Sequence, residues 1–163
     1  MASLRIPSAG LALLSLLLLL VALASDHWLE ARRDDVFIRS GLWRICVNSL
    51  CVVPSKLPDY IEATRMFLML GLLAGLLSGF SLLASLSGSS SDSGSLLMVS
   101  AVGSFSAGFC IMVAMAVFTS EFAEVIKATR ITFGWSLAIG WASIPFFLLT
   151  GGVTLLAQDS SSI

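Results

Sequence analysis

The residues able to do chemistry are few, and most of them share one stretch. Between Ser25 and Arg65 lie Cys46, Cys51 and the single histidine, His27, interleaved with Asp26, Glu30, Asp34, Asp35, Asp59 and Glu62. Two thiols separated by four residues offer either a disulfide or a pair of thiolate ligands. A zinc site normally takes four protein ligands or three with an open position. Cys46, Cys51 and His27 supply three at an unusual spacing and with no fourth, so a metal centre is a weak reading. Asp26 and His27 form a conceivable acid–base pair, but no nucleophile accompanies them. Cys110 sits inside an apolar run and reads as a small buried hydrophobe. The residues favour a Cys46–Cys51 disulfide and point to no catalytic, cofactor or metal site, so the chain is not expected to be an enzyme.

The elements that must position this stretch are dictated by composition. Of 163 residues, 57% are hydrophobic and 12% charged. Soluble domains run near ~45–50% and ~25%. The formal net charge of −1 excludes a nucleic-acid surface, which needs clustered cations. The apolar residues fall in four blocks, Ser8–Ala24, Met66–Leu86, Leu96–Phe118 and Ile131–Ala157, none holding Asp, Glu, Lys, Arg or His. About 20 apolar residues at ~1.5 Å rise cross the hydrocarbon core, and backbone groups in lipid must pair within the segment. The expected fold is therefore an all-α membrane protein. It is a single four-transmembrane-helix bundle with a small β-sheet formed by the first extracellular loop. Spans are expected over 8–25, 66–86, 96–118 and 132–157, outer loops over 26–65 and 119–131, a cytosolic turn over 87–95 and a cytosolic tail over 158–163. Spans without charge leave pumping and proton-coupled transport without residues to carry them, and no small-molecule substrate is expected.

Two readings of the first block stay open. Arg5, the leucine run and Ala22-Leu23-Ala24 resemble a signal peptide with its cleavage site, whereas the length suits a retained helix. Both place the long loop outside. Charge bias argues the other way: Arg32, Arg33, Arg39, Arg44, Lys56, Arg65, Lys127 and Arg130 fall on the outer side against Arg5 on the inner, opposite to the positive-inside rule. The loop cations are interleaved with acids, as in a folded extramembrane unit, and a disulfide persists on the oxidising side. The outer placement is kept.

Within the long loop, Val36-Phe37-Ile38 and Leu42–Val53 are rich in β-branched and aromatic residues, broken at Gly41 and Asn48-Ser49. This patterning predicts a small sheet on the helix ends, with the two cysteines flanking a hairpin turn. Trp28 and Trp43 are expected at headgroup level, where amphipathic rings are favoured. For helix packing, Gly71, Gly75 and Gly79 recur every fourth residue, Gly134, Ala138 and Ala142 form a second small-residue stripe, and Gly103 with Ala107 a shorter one. Such stripes admit close helix contact, inside the bundle or in a lateral dimer. Ser89-Ser90-Ser91-Asp92 is a linker or a phosphorylation site, and Ser161 with the terminal Ile163 suits a scaffold groove that binds C-terminal carboxylates. The cytosolic side lacks the basic amphipathic stretch that calmodulin or anionic lipid would take.

The order Trp28, Gly41-Leu42-Trp43, Cys46, Cys51 resembles the signature of the superfamily of claudins, peripheral myelin protein, epithelial membrane proteins and the lens fibre membrane intrinsic protein. Asp26-His27-Trp28, Arg44 and Ala63-Thr64-Arg65 resemble the lens member. Val113–Ser120 and the Phe133, Trp135, Gly140-Trp141 pattern resemble the natural-killer-cell granule member. The cysteine spacing is tighter than in typical claudins, Asn48-Ser49-Leu50 is no glycosylation sequon, and the tail is not basic. The resemblance implies a non-enzymatic tetraspan protein that organises cell contacts or membrane junctions through its outer loop. Its partners would be the lipid bilayer and a second copy or another family member. The granule member implies an alternative, a secretory or cytotoxic granule protein regulating exocytosis; an accessory subunit of a channel or receptor is a third reading.

Overall fold

A computed structural model describes residues 2–25, 27–33, 36–43, 45–48, 50–52, 59–86, 93–128 and 131–162. Four long helices, α1 (Ala2–Ala24), α2 (Asp59–Leu86), α3 (Ser93–Ala128) and α4 (Trp135–Ser162), account for most of it. Each contains a segment long and apolar enough to cross a membrane: Ile6–Ala24, Ile61–Leu86, Ser95–Glu121 and Trp135–Gln158. The helices close into a ring in which α1 packs on α2 and α4, and α3 packs on α2 and α4.

Two helices overrun the apolar blocks. α3 continues through Ala128, so most of the expected 119–131 loop is helical. α2 begins at Asp59, which puts Arg65 inside the helix rather than at its start. The apolar blocks measure the lipid crossing, whereas helix ends follow from propensity and capping. Glu121–Ala128 contains no glycine or proline to stop a helix already formed, and Asp59 and Glu62 favour a helix start.

The interior of the ring is small and hydroxylated. Ser78 Oγ of α2 lies 3.0 Å from Ser100 Oγ and 2.5 Å from Ser104 Oγ of α3. Ser15 Oγ of α1 lies 3.4 Å from Thr150 Oγ1 of α4. Ser15, Ser85, Ser143, Thr150 and Thr154 donate to carbonyls of their own helices, which satisfies hydroxyls that lipid could not. Lipid gives helices no hydrophobic reason to associate, so close backbone contact and hydroxyl pairs carry more of the packing than in water.

Glycines mark the closest approaches. A Cβ at Gly71 would sit 2.9 Å from Ile111 Cγ1, one at Gly75 2.9 Å from Phe147 Cε1 and 3.0 Å from Leu16 Cδ2, and one at Gly103 2.9 Å from the Ala74 carbonyl oxygen. Gly79 is looser, 3.4 Å from Leu16 Cδ1. The stripe Gly134, Ala138 and Ala142 does not pack the bundle. Gly134 precedes the first residue of α4, Ala138 is exposed and Ala142 half-buried. Residues of a helix advance by ~100° each, and the inward face of α4 carries Gly140 and Gly151 instead. Their Cβ positions would meet Met115 and the Phe105 ring at 2.8 and 2.9 Å.

At one end of the bundle lies an antiparallel sheet of order β4-β3-β2-β1-β5. β1 (Leu29–Arg33), β2 (Val36–Ser40), β3 (Ile45–Val47) and β4 (Leu50–Val52) come from the loop between α1 and α2. The fifth strand was not expected. β5 (Ile131–Phe133) belongs to the segment before α4 and pairs with β1 through Leu29↔Phe133 and Ala31↔Ile131. Leu19, Ala22, Leu23, Trp28, Leu42, Leu68, Ile111, Met115 and Phe118 form the main core beneath it. Ala12, Leu82, Leu97 and Ala157 close the other end.

Gly75→Leu is expected to sharply reduce the yield of folded protein in detergent, because overpacking costs about 1–3 kcal/mol before any helix separates. Leu73→Ile, on a side chain 60% exposed, is expected to be mild. Equal monodisperse yields from the two variants would remove Gly75 from the packing contacts.

Candidate functional site

The end of α1 leaves its last carbonyls without helical partners, and the signature residues supply them. Ser25 N donates to the Val21 carbonyl at 3.1 Å. The Trp28 indole Nε1 donates to the Ala22 carbonyl at 2.6 Å, and the Trp43 Nε1 to the Leu23 carbonyl at 3.0 Å. Two tryptophans thus cap one helix. Trp28 is fully buried and meets the Phe118 ring edge-on, centroids 4.9 Å apart. Its ring is enclosed by the protein and not exposed as an amphipathic anchor. Trp43 and Trp135 are half-exposed at this end.

Leu42 and Arg65 complete the arrangement. Leu42 is buried in the core, and its carbonyl accepts from Arg65 Nε at 2.7 Å and also from Nη2. The guanidinium carbon lies 4.6 Å from the Trp43 ring centroid. A delocalised cation suits both an aromatic face and a carbonyl. Trp28, Leu42, Trp43 and Arg65 therefore converge on one joint between α1, α2 and the sheet; Gly41 lies between them and β2, its carbonyl accepting from Ser40 Oγ at 3.3 Å.

A second joint ties α4 to the same place. Gly134 N donates to the Trp28 carbonyl at 2.9 Å, and Ser136 N to the His27 carbonyl at 3.3 Å. Ser136 Oγ donates to Ser25 Oγ. A Cβ at Gly134 would lie 1.7 Å from the His27 carbonyl oxygen, so glycine is demanded there by backbone contact and not by helix packing. The His27 ring stacks on Trp135, centroids 5.2 Å apart, and its Nδ1 lies 2.9 Å from Glu30 Oε1. The carboxylate beside His27 is thus Glu30; Asp26 lies outside the described residues.

Cys46 and Cys51 are joined by a disulfide and oppose one another directly in the β3–β4 register. Between them Asn48 turns the chain with φ 55°, a left-handed conformation that asparagine tolerates better than most residues. The same residue pins the hairpin to β2. Asn48 N donates to the Phe37 carbonyl at 2.8 Å, and Phe37 N donates to Asn48 Oδ1 at 3.0 Å. Cys46 is fully buried, and alternation along the strands turns the neighbouring side chains to the opposite face. Among the described residues no group of three metal-ligating side chains converges, and Cys110 is a free thiol in α3. Ser89–Asp92 and Ile163 lie outside the described residues, while Ser161 falls in the last turn of α4.

These contacts join the W…GLW…C…C residues into one structural unit, and the sequence as a whole matches the PMP-22/EMP/MP20/Claudin family over residues 6–154. The chain belongs to that family. Among curated relatives, protein NKG7 of Mus musculus is 35% identical over 141 residues, covering 85% of this chain and 82% of that one. Protein NKG7 of Homo sapiens is 33% identical over 147 residues, covering 89% and 86%. Lens fiber membrane intrinsic protein of Bos taurus is 27% identical over 140 residues, covering 83% and 80%. Family membership makes the chain a non-enzymatic, multi-pass membrane protein.

Sequence reasoning missed the roles of Glu30, Asn48, Gly134 and Ser136. His27 and Glu30 lie three residues apart, a signal that was available. Nothing local announces a contact between His27 and Trp135.

Two outcomes test the joint. Trp28→Phe strands the Ala22 carbonyl in a dry core and is expected to cost about 1–3 kcal/mol, measured as a lower melting temperature in detergent. Trp43→Phe is expected to cost less, since the half-exposed Trp43 ring buries less surface and makes a longer hydrogen bond than Trp28; the reverse order would overturn the capping role of Trp28. Cys46→Ser, Cys51→Ser and the double variant are each expected to lose about 2 kcal/mol, the loop-entropy value for so small a ring. They act as one unit, and Cys110→Ser is expected to be nearly silent. A double variant clearly worse than either single one would show that the cysteines act separately.

Proposed function

We propose that the chain organises contacts between cells or membrane junctions through its disulfide-clamped sheet, displayed on the outer side. Sidedness follows from redox chemistry: a structural disulfide persists where thiols are oxidised, so the sheet end of the bundle faces the exterior or a topologically equivalent lumen. Four spans put the start of α1 and the end of α4 on the cytosolic side.

The observation that carries the reading is the character of one sheet face. Opposite the disulfide, β2, β3 and β4 present Val36, Ile38, Ile45, Val47, Leu50 and Val52, all at least 37% exposed. A contiguous apolar patch outside the membrane-spanning segments marks an interaction surface. The six side chains also hold no group to bind or transform a small molecule. The granule alternative shares this topology and differs only in which membrane carries the sheet.

Epitope tags within residues 87–92 and after Ile163 are expected to be inaccessible in intact cells and stained after permeabilisation. Staining of either tag in intact cells would overturn the placement. The tagged protein is expected at borders between touching cells. Punctate vesicles that reach the surface only on stimulation would favour the granule reading instead. An N-terminal tag is expected to persist, because α1 supplies the carbonyls that Trp28 and Trp43 cap.

A further inference from the structure

We infer that a groove between α1 and α2, in the half of the bundle remote from the sheet, holds one acyl chain of a phospholipid of that leaflet. The site is separate from the sheet and from its joint with the helices. α1 and α2 touch near the middle of the membrane and part away from the sheet. At Gly75 a Cβ would lie 3.0 Å from Leu16 Cδ2; at Gly79, one turn further from the sheet, the distance to Leu16 widens to 3.4 Å. A Cβ at Gly10 would meet nothing within 4 Å. Two glycines thus withhold side chains where the helices part, leaving a cavity of about 380 Å³. Leu13, Phe80 and Leu83 stand at its rim, 61%, 66% and 58% exposed. All three lie on membrane-spanning segments, so the groove opens to lipid.

Three observations select an acyl chain. The first is chemical. The groove is lined by alanine, glycine, leucine and phenylalanine alone, so among the described residues no side chain there could orient a sterol hydroxyl or any other polar group. The second is depth. Ala9 and Leu83 lie three residues inside the span ends Ile6 and Leu86, and Leu16 and Leu76 lie ten inside. At ~1.5 Å per residue the groove runs, on both helices alike, from about 5 to about 15 Å into the hydrocarbon. Half of that hydrocarbon is about 15 Å thick, so the groove ends where a chain anchored in one leaflet ends. The third is size. At roughly 30 Å³ for each methylene, about the share of one water molecule, the cavity holds on the order of ten carbons, most of one chain. A helix from a second copy, ~10–12 Å across, is too wide to enter. Burial supplies no drive inside lipid. Retention comes instead from dispersion contacts along a concave wall, which a chain lying on a convex helix face forgoes. A flexible chain also fills a void that a rigid ring system would leave partly empty.

The test uses the full-length protein in phosphatidylcholine nanodiscs doped with phosphatidylcholine that carries a diazirine midway along one chain. After irradiation, adducts at Leu13, Phe80 and Leu83 are expected to exceed those at Val102 about tenfold. Val102 is 57% exposed and lies seven residues inside its span from Ser95, level with the middle of the groove. Adducts spread over these positions in proportion to exposure would show boundary lipid only and overturn the site. Gly10→Leu fills the groove from an open position and is expected to lower the groove adducts about fivefold. Gly152→Leu, at another open glycine on α4, is expected to leave them unchanged. Undiminished groove adducts in monodisperse Gly10→Leu protein, or an equal loss in Gly152→Leu, would overturn the groove as the binding surface. The wild-type adduct map decides the question on its own if a variant fails to fold. Displacement of the phospholipid from these positions by a diazirine-bearing sterol would overturn the acyl chain as occupant. Unlabelled groove positions in protein that native mass spectrometry shows as a pair would overturn it in favour of a second copy.

Discussion

The structure depends on how the exposed carbonyls at the end of α1 are satisfied. A helix that leaves lipid next to a folded sheet has no free water to take its last carbonyls, and an unpaired buried carbonyl costs more than most packing contacts return. Two indole N–H groups meet this need, one from the residue just before the sheet and one from the turn between β2 and β3. Because each ring also packs, the hydrogen bond and the burial position the same residue. The sheet is thereby set directly on the helix instead of hanging from it by a flexible linker.

The other contacts extend from that cap. Arg65 reaches from α2 to the Leu42 carbonyl and covers Trp43, so the second helix is referred to the first through the sheet. Gly134 and Ser136 donate to the backbone of Trp28 and His27, which brings the start of α4 to the same place. The pairing of β5 with β1 follows, since the chain entering α4 already lies alongside β1. Below this joint the helices approach through glycines and serine hydroxyls. Above it the disulfide and Asn48 stiffen a hairpin too short to be stable alone.

This division separates what the family signature does from what could distinguish a member. Trp28, Leu42, Trp43 and Arg65 are occupied in holding sheet to bundle, and three of the four are largely used up by contacts within the chain. Among the described residues, the free face of β2 to β4 carries exposed aliphatic side chains that the signature does not include. A shared signature therefore identifies the scaffold and leaves the exposed strand positions outside it.

By itself the sequence determined four spans, a sheet-forming loop and a disulfide in it, because apolar length, β-branched patterning and cysteine placement are local quantities. Gly71 and Gly75 were also legible, since a four-residue repeat fixes a helix face. Where each element ends was less so: Glu121–Ala128 continues a helix that apolar length alone would stop at Phe118. The tertiary structure alone decided the remainder. Gly134 looked like part of a helix stripe, and only the His27 carbonyl against it reveals why glycine is needed. Trp28 read as an interfacial ring until the Phe118 ring and the Ala22 carbonyl enclosed it. β5 is three residues long and pairs with a strand about a hundred positions earlier. Such contacts depend on which surfaces the folded helices bring together, and no pattern within a few residues carries that information.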